Sequence, residues 1–136
     1  MSVKHLEHIG IAVKDLDVAI PLWEKLLGVK CYNIEEVAEQ KVKTAFLKIG
    51  EVKIELLQST SEDGPIAKFI EKKGEGIQHV AFASSNIEEE LVRCDAEGIR
   101  LIDSKPRNGA EGLSIAFLHP KSTLGVLTEL CEKKTK

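Results

Sequence analysis

The stretch Leu6-Glu7-His8-Ile9-Gly10-Ile11-Ala12-Val13 decides how the chain is read, because Ile77-Gln78-His79-Val80-Ala81-Phe82-Ala83 repeats it, with its histidine 71 residues further on. Both stretches alternate, the period of a β-strand with two unlike faces. In the first, Ile9, Ile11 and Val13 share one face, and His8, Gly10 and Ala12 share the other. In the second, Val80 and Phe82 share a face, and His79, Ala81 and Ala83 share its reverse. The bulky faces suit packing under a helix. A histidine followed by two small residues suits a concave surface that must admit something.

Working outward, the repeat continues through both halves. After the first strand, Asp15 is placed to cap a helix. The run Val18, Ile20, Leu22, Trp23, Leu26 and Leu27 has helical spacing and stops at Gly28. Strands are expected over Val29 to Val37, Val42 to Ile49 and Val52 to Leu57, with Gly50-Glu51 as the last turn. In the second half a strand over Gln78 to Ala83 is followed by the cap Asn86. Ile87, Leu91, Val92 and Cys94 then define a helix ending near Gly98. Strands over Ile99 to Asp103, Leu113 to Leu118 and Gly125 to Cys131 complete it. Between the halves, Asp63-Gly64-Pro65 starts a connecting helix, Ile66 to Lys73, closed by Gly74. The fold class expected is α+β: two tandem βαβββ modules, at about 4–60 and 76–132 with a helical connector at about 63–74. They would build one curved mixed sheet within a single domain spanning residues 1–136.

Each module also carries a glutamate, Glu55 in V-K-I-E-L-L and Glu129 in G-V-L-T-E-L, 47 and 50 residues after its histidine. Alternation sets Glu55 against Ile54 and Leu56, and Glu129 against Thr128 and Leu130. A carboxylate flanked by apolar strand residues is costly to bury unless it is paired. Finding this twice, with an equivalent histidine each time, points to two imidazoles and two carboxylates gathered on the open face of the sheet. The competing reading is a pair of buried His–Glu ion pairs that serve structure alone. Nitrogen and oxygen donors without thiolate suit Co, Mn, Fe, Ni or Zn better than a structural zinc site. Four protein ligands on an octahedral ion leave two adjacent positions for a chelating substrate, an arrangement suited to stabilising an enolate.

Composition bounds the rest. A chain of 136 residues with 43% hydrophobic content can bury a core, whereas each half alone would be marginal. A net charge of −3 and no basic stripe argue against nucleic acid. No apolar run is long enough to span a bilayer, and the N-terminal residues have neither signal nor transit character. Cys31, Cys94 and Cys131 form no C-x-x-C and read as reduced thiols of a cytoplasmic protein. The C-terminal E-K-K-T-K reads as a solvated tail. His5 falls on the face opposite His8, and His119 in L-H-P reads as a turn residue. Glu35-Glu36 and Glu88-Glu89-Glu90 read as solvated faces. Lys53, Lys72, Lys73, Lys105 and Arg107 are candidates to meet an anionic substrate tail, and the sequence selects none of them.

The segments H-I-G-I-A-V-K-D-L, A-E-Q-K-V-K-T-A-F-L, K-I-E-L-L, G-P-I-A-K-F-I-E-K-K-G-E-G-I-Q-H-V-A-F, R-L-I-D-S-K-P-R-N-G-A-E-G and F-L-H-P-K-S-T-L-G-V-L-T-E-L resemble the vicinal oxygen chelate superfamily (glyoxalases, bleomycin resistance proteins and dioxygenases). Within it the resemblance is to the methylmalonyl-CoA epimerase family and runs almost end to end. It implies a metal cleft between paired βαβββ modules, with His8, Glu55, His79 and Glu129 as the ligands. The implied activity is that of an isomerase, metal-dependent epimerisation of (R)- and (S)-methylmalonyl-CoA through an enolate, with an acyl-CoA thioester as partner. Cobalt is the ion implied, with Mn, Ni, Zn, Mg or Fe as alternatives, and a homodimer is the implied assembly. Some family members carry a glutamate acid/base group where this chain has Thr44. Glu129 is then both ligand and proton acceptor, with Glu39, Gln40 or a water on the ion serving the other face. Alternatives in the same superfamily are a glyoxalase I-type lactoylglutathione lyase, a dioxygenase and a non-enzymatic binding protein. Glu55 as a fourth ligand argues against the dioxygenase, which needs two histidines and one carboxylate.

Overall fold

The computed structural model of the protein describes residues 2–134. The chain forms two compact units, one from His8 to Gln78 and one combining the N-terminal residues through Glu7 with those from His79 on. Strand β1 (Val3–Ala12) contributes residues to each.

In the unit from His8 to Gln78, β2 (Asn33–Val37), β3 (Val42–Ile49) and β4 (Val52–Ser59) join β1 in the order β2-β3-β4-β1. The β1–β4 pair is parallel and the others antiparallel. Helix α1 (Leu16–Leu27) is capped by Asp15, whose side chain accepts the Asp17 N–H at 2.9 Å. It ends at Gly28, where φ is 72°, a left-handed cap glycine adopts at little cost. Leu16, Ala19, Trp23 and Leu27 of this helix cover Ile9, Ile11, Val13, Ile54 and Leu56. This is the bulky strand face, as alternation requires. On the reverse face, helix α2 (Pro65–Lys73) packs Ile66, Phe69 and Ile70 on Ala12, Val42 and Leu57. The connecting helix is therefore also a lid on the Ala12 end of the histidine face. Gly64 permits the approach: a Cβ there would lie 2.8 Å from Ser59 Oγ and 3.2 Å from Lys41 Cβ.

In the other unit, β5 (Gly76–Ser84), β6 (Arg107–Asn108), β7 (Leu113–Leu118) and β8 (Thr128–Lys133) follow the order β1-β5-β8-β7-β6. The β5–β8 pair is parallel and the β7 pairs are antiparallel. Asn86 caps helix α3 (Ile87–Ala96) by accepting the Glu89 N–H at 3.1 Å. Ile87, Leu91 and Cys94 pack on Ala116, Leu118 and Leu130. The reverse face holds a smaller cluster of Ala81, Leu113, Ile115 and Cys131 with Phe117 against it, all strand residues.

Two modules of the βαβββ type are thus present, and three expected strands are corrected. Ile99 to Asp103 is no strand, since only Leu101 bridges Leu118. Ile102 and Asp103 both donate to the single Phe117 carbonyl, which no ladder allows. The edge strand is instead β6, beyond Pro106. The strand expected from Val29 begins only at Asn33, and the one expected from Gly125 begins only at Thr128. Before the latter, a 3-10 turn over Pro120–Thr123 and a left-handed Leu124 (φ 56°) use up the chain.

The acidic run on α3 is also not uniform: Glu88 and Glu89 are exposed, but Glu90 is buried against Arg93. All three cysteines are free thiols, and burial pushes Cys94 up from its ordinary pKa. Of the tail E-K-K-T-K, Thr135 and Lys136 lie outside the described residues. Among the described residues, no helix is long and apolar enough to cross a membrane.

Candidate metal centre

In the first module, His8 Nδ1 lies 3.2 Å from Glu55 Oε2, and the two side chains are only 3% and 7% exposed. Strand register produces the contact. Glu55 on β4 stands opposite Gly10 on β1, two residues after His8, so both side chains emerge on one face. On the other side of β4, Phe46 of β3 stands opposite Glu55.

The second module repeats this register. Glu129 on β8 stands opposite Ala81 on β5, two residues after His79, and Phe117 of β7 stands opposite Glu129. His79 Nε2 lies 3.1 Å from Glu129 Oε1, with both side chains buried. Glycine and alanine at the paired positions add little bulk beside each glutamate. Each pair offers one nitrogen and one oxygen donor, and that chemistry fits a divalent ion of the cobalt-to-zinc series.

The surroundings of the pairs differ. Lys53 is buried beside the first, its Nζ 3.9 Å from Glu55 Oε2 and 5.7 Å from the Phe46 ring centre. Beside the second, the Phe117 ring meets His79 edge-on, with centroids 5.5 Å apart and an interplanar angle of 79°. Arg107 lies over Phe117 at 5.6 Å, and its Nε is 3.2 Å from Asp103 Oδ1. Asp103 is itself fixed by accepting the Phe117 N–H at 2.9 Å.

Thr44 is buried on the face of Phe46 and stands opposite Glu35, which is half-buried and not part of a fully solvated run. Glu39 is exposed in a 3-10 turn, and the neighbouring Gln40 has a buried Nε2 without a hydrogen-bond partner. His5 is exposed. His119 is a turn residue whose Nδ1 accepts the Lys121 N–H, and desolvation, with Arg100 and Lys121 nearby, lowers its pKa. Sequence reasoning missed the two phenylalanines and the burial of Lys53. Alternation already places Lys53 on the face of Glu55, and the matched F-L-K and F-L-H segments could have flagged both rings.

Comparison with known proteins gives the family. The sequence profile of the Glyoxalase/Bleomycin resistance protein/Dioxygenase superfamily matches residues 7–117. The chain belongs to this superfamily of vicinal oxygen chelate proteins and, within it, to the family of the methylmalonyl-CoA epimerases, which are enzymes. It is 35% identical to the mitochondrial methylmalonyl-CoA epimerase of Homo sapiens over 95% of this chain and 74% of that protein. It is 44% identical to the uncharacterized Bacillus subtilis protein YqjC over 97% of this chain and 94% of that one. A Streptomyces coelicolor methylmalonyl-CoA epimerase, solved in complex with 2-nitronate-propionyl-CoA, matches with a TM-score of 0.94 at 36% identity, covering 98% and 97% of the two chains.

Proposed function

We propose that this protein is a methylmalonyl-CoA epimerase that interconverts the (R) and (S) forms of its acyl-CoA substrate with one divalent ion held by His8, Glu55, His79 and Glu129. The observation that carries the reading is the recurrence, in identical register, of a buried His–Glu pair in each module. The names of the relatives support the substrate. When bound, the ion supplies Lewis acidity that stabilises negative charge on the substrate's oxygens as the α-proton leaves.

The remaining chemistry belongs to side chains. His8 and His79 offer neutral nitrogen donors, and Glu55 balances the charge. Glu129, 4% exposed, accepts the α-proton in a setting from which water is largely excluded. Thr44 carries no acid, so the first module contributes no second carboxylate from that position. We assign cobalt as the ion, a single domain as the working unit, and a cytoplasmic homodimer as the state in the cell. Three free thiols suit that compartment.

The test is deuterium exchange at the α-carbon of methylmalonyl-CoA with the purified, cobalt-loaded protein. Exchange accompanied by loss of optical purity is expected. No exchange with any divalent ion, or turnover of the methylglyoxal–glutathione hemithioacetal instead, would overturn the reading.

A further inference from the structure

We infer that Arg107 is the residue that grips the anionic group of the substrate, and that Asp103 holds it in place to do so. The inference deepens the proposed function and takes its ligand, an acyl-CoA, from that reading. Among the five cations that the sequence leaves in contention, Arg107 is tied by register to the face of Glu129. It stands opposite Ile115 on β7. Ile115 and Phe117 share a face, and Phe117 stands opposite Glu129. The contacts follow the same path, from Arg107 over the Phe117 ring to the His79 imidazole.

The guanidinium is also prepared for a ligand. Asp103 engages Nε, and Asp103 is pinned by the Phe117 backbone, so the fork is oriented before anything binds. Its terminal amino groups present parallel donors of the spacing that a carboxylate or phosphate accepts. The side chain is 44% exposed, so a ligand reaches it without disturbing the core. The other cations fit less well. Lys53 is buried against Glu55, Lys73 lies over Phe69 on α2, and Lys72 and Lys105 are exposed away from these contacts. The first module's register equivalent of Arg107 is Glu35, opposite Thr44, which would repel an anion. The grip therefore belongs to the second module alone.

The shared ligand chemistry is a set of anionic oxygens, from either the malonyl carboxylate or the phosphates of CoA. Calorimetric binding of methylmalonyl-CoA, propionyl-CoA and methylmalonyl-pantetheine to cobalt-loaded wild type, Arg107→Met, Arg107→Lys and Asp103→Asn separates them. Arg107→Met should bind methylmalonyl-CoA at least about tenfold more weakly, raising KM while kcat stays within about threefold, and Arg107→Lys should recover part of the loss. Asp103→Asn should show the same ligand pattern at smaller size. A loss seen with methylmalonyl-pantetheine but not with propionyl-CoA assigns the carboxylate; the reverse assigns the phosphates. Unchanged binding of all three ligands, or a wild type that binds none, overturns the inference. Wild-type binding without α-carbon exchange sinks the epimerase reading and leaves the grip intact.

Discussion

The two modules share a register down to the residue, yet they place their charges differently. In each, a histidine, a small residue two positions later, a glutamate opposite that residue and a phenylalanine opposite the glutamate recur in order. Around this constant frame, the first module keeps its cation, Lys53, buried against the glutamate, and its edge position is acidic, Glu35. The second puts its cation, Arg107, at the edge over the Phe117 ring, with its side chain half open. On the proposed reading, duplication supplies ligands in matched pairs, because a ligand needs only register. Recognition of an asymmetric substrate, on the same reading, needs the copies to differ, and these charged positions are among those that do.

The strongest way to break this comparison is to neutralise each glutamate in turn. Both Glu55→Gln and Glu129→Gln should weaken cobalt binding, since each removes an anionic donor. At saturating cobalt, Glu129→Gln should also lose the proton acceptor and fall further, by about 10²- to 10⁴-fold in kcat. Glu55→Gln keeps an oxygen donor and should stay within about tenfold of wild type. Equal losses in the two variants at saturating metal would mean that the modules share the proton chemistry and that the division of labour is wrong.

A smaller effect sharpens the contrast between the two cations. Lys53 is buried, so Lys53→Met leaves the Glu55 carboxylate facing His8 with one compensating charge fewer. Metal-free Lys53→Met should be destabilised by about 1–3 kcal/mol, and cobalt should restore most of it, because the ion replaces the lost positive charge. Arg107→Met should cost less than about 0.5 kcal/mol with or without metal, as expected for a half-exposed side chain. Thermal melts of both variants, with and without cobalt, decide the matter. A cobalt-independent loss in Lys53→Met would reduce Lys53 to a packing residue.

Much of this was legible before any coordinates. Strand alternation alone placed His8, Gly10 and Ala12 against Ile9, Ile11 and Val13, and helix α1 covers the face it should. Asp15, Asn86 and Gly28 announced the helix ends by residue type, since a cap is a local contact. Failures came where local pattern competes with a distant partner. Ile99 to Asp103 has strand composition, but Phe117 offers one carbonyl to two of its amides, and pairing passes to Arg107 and Asn108, which no propensity favours. Glu90 read as surface because its neighbours are, whereas its burial follows from which side of α3 faces β7 and β8. Likewise five cations were equivalent in sequence, and only contacts across strands separated Lys53 and Arg107 from the rest.

Thr44 gives the smallest expected effect and the finest test of how far the copies have diverged. Its equivalent in the second module, two residues before Phe117, is Ile115, an apolar residue buried on the same face. If Thr44 serves the first module as Ile115 serves the second, it is a packing position, and Thr44→Val, nearly the same size, should change kcat by less than about tenfold, or roughly 1.4 kcal/mol in barrier. Thr44→Val keeps the shape of the buried side chain, so a stability change of no more than about 1 kcal/mol should accompany the near-normal rate. Steady-state epimerisation and a thermal melt on the same preparation separate the two quantities. A much larger drop in kcat at unchanged stability would make the hydroxyl a participant in proton transfer, and the first module would then hold a chemical role beyond the two ligands proposed for it.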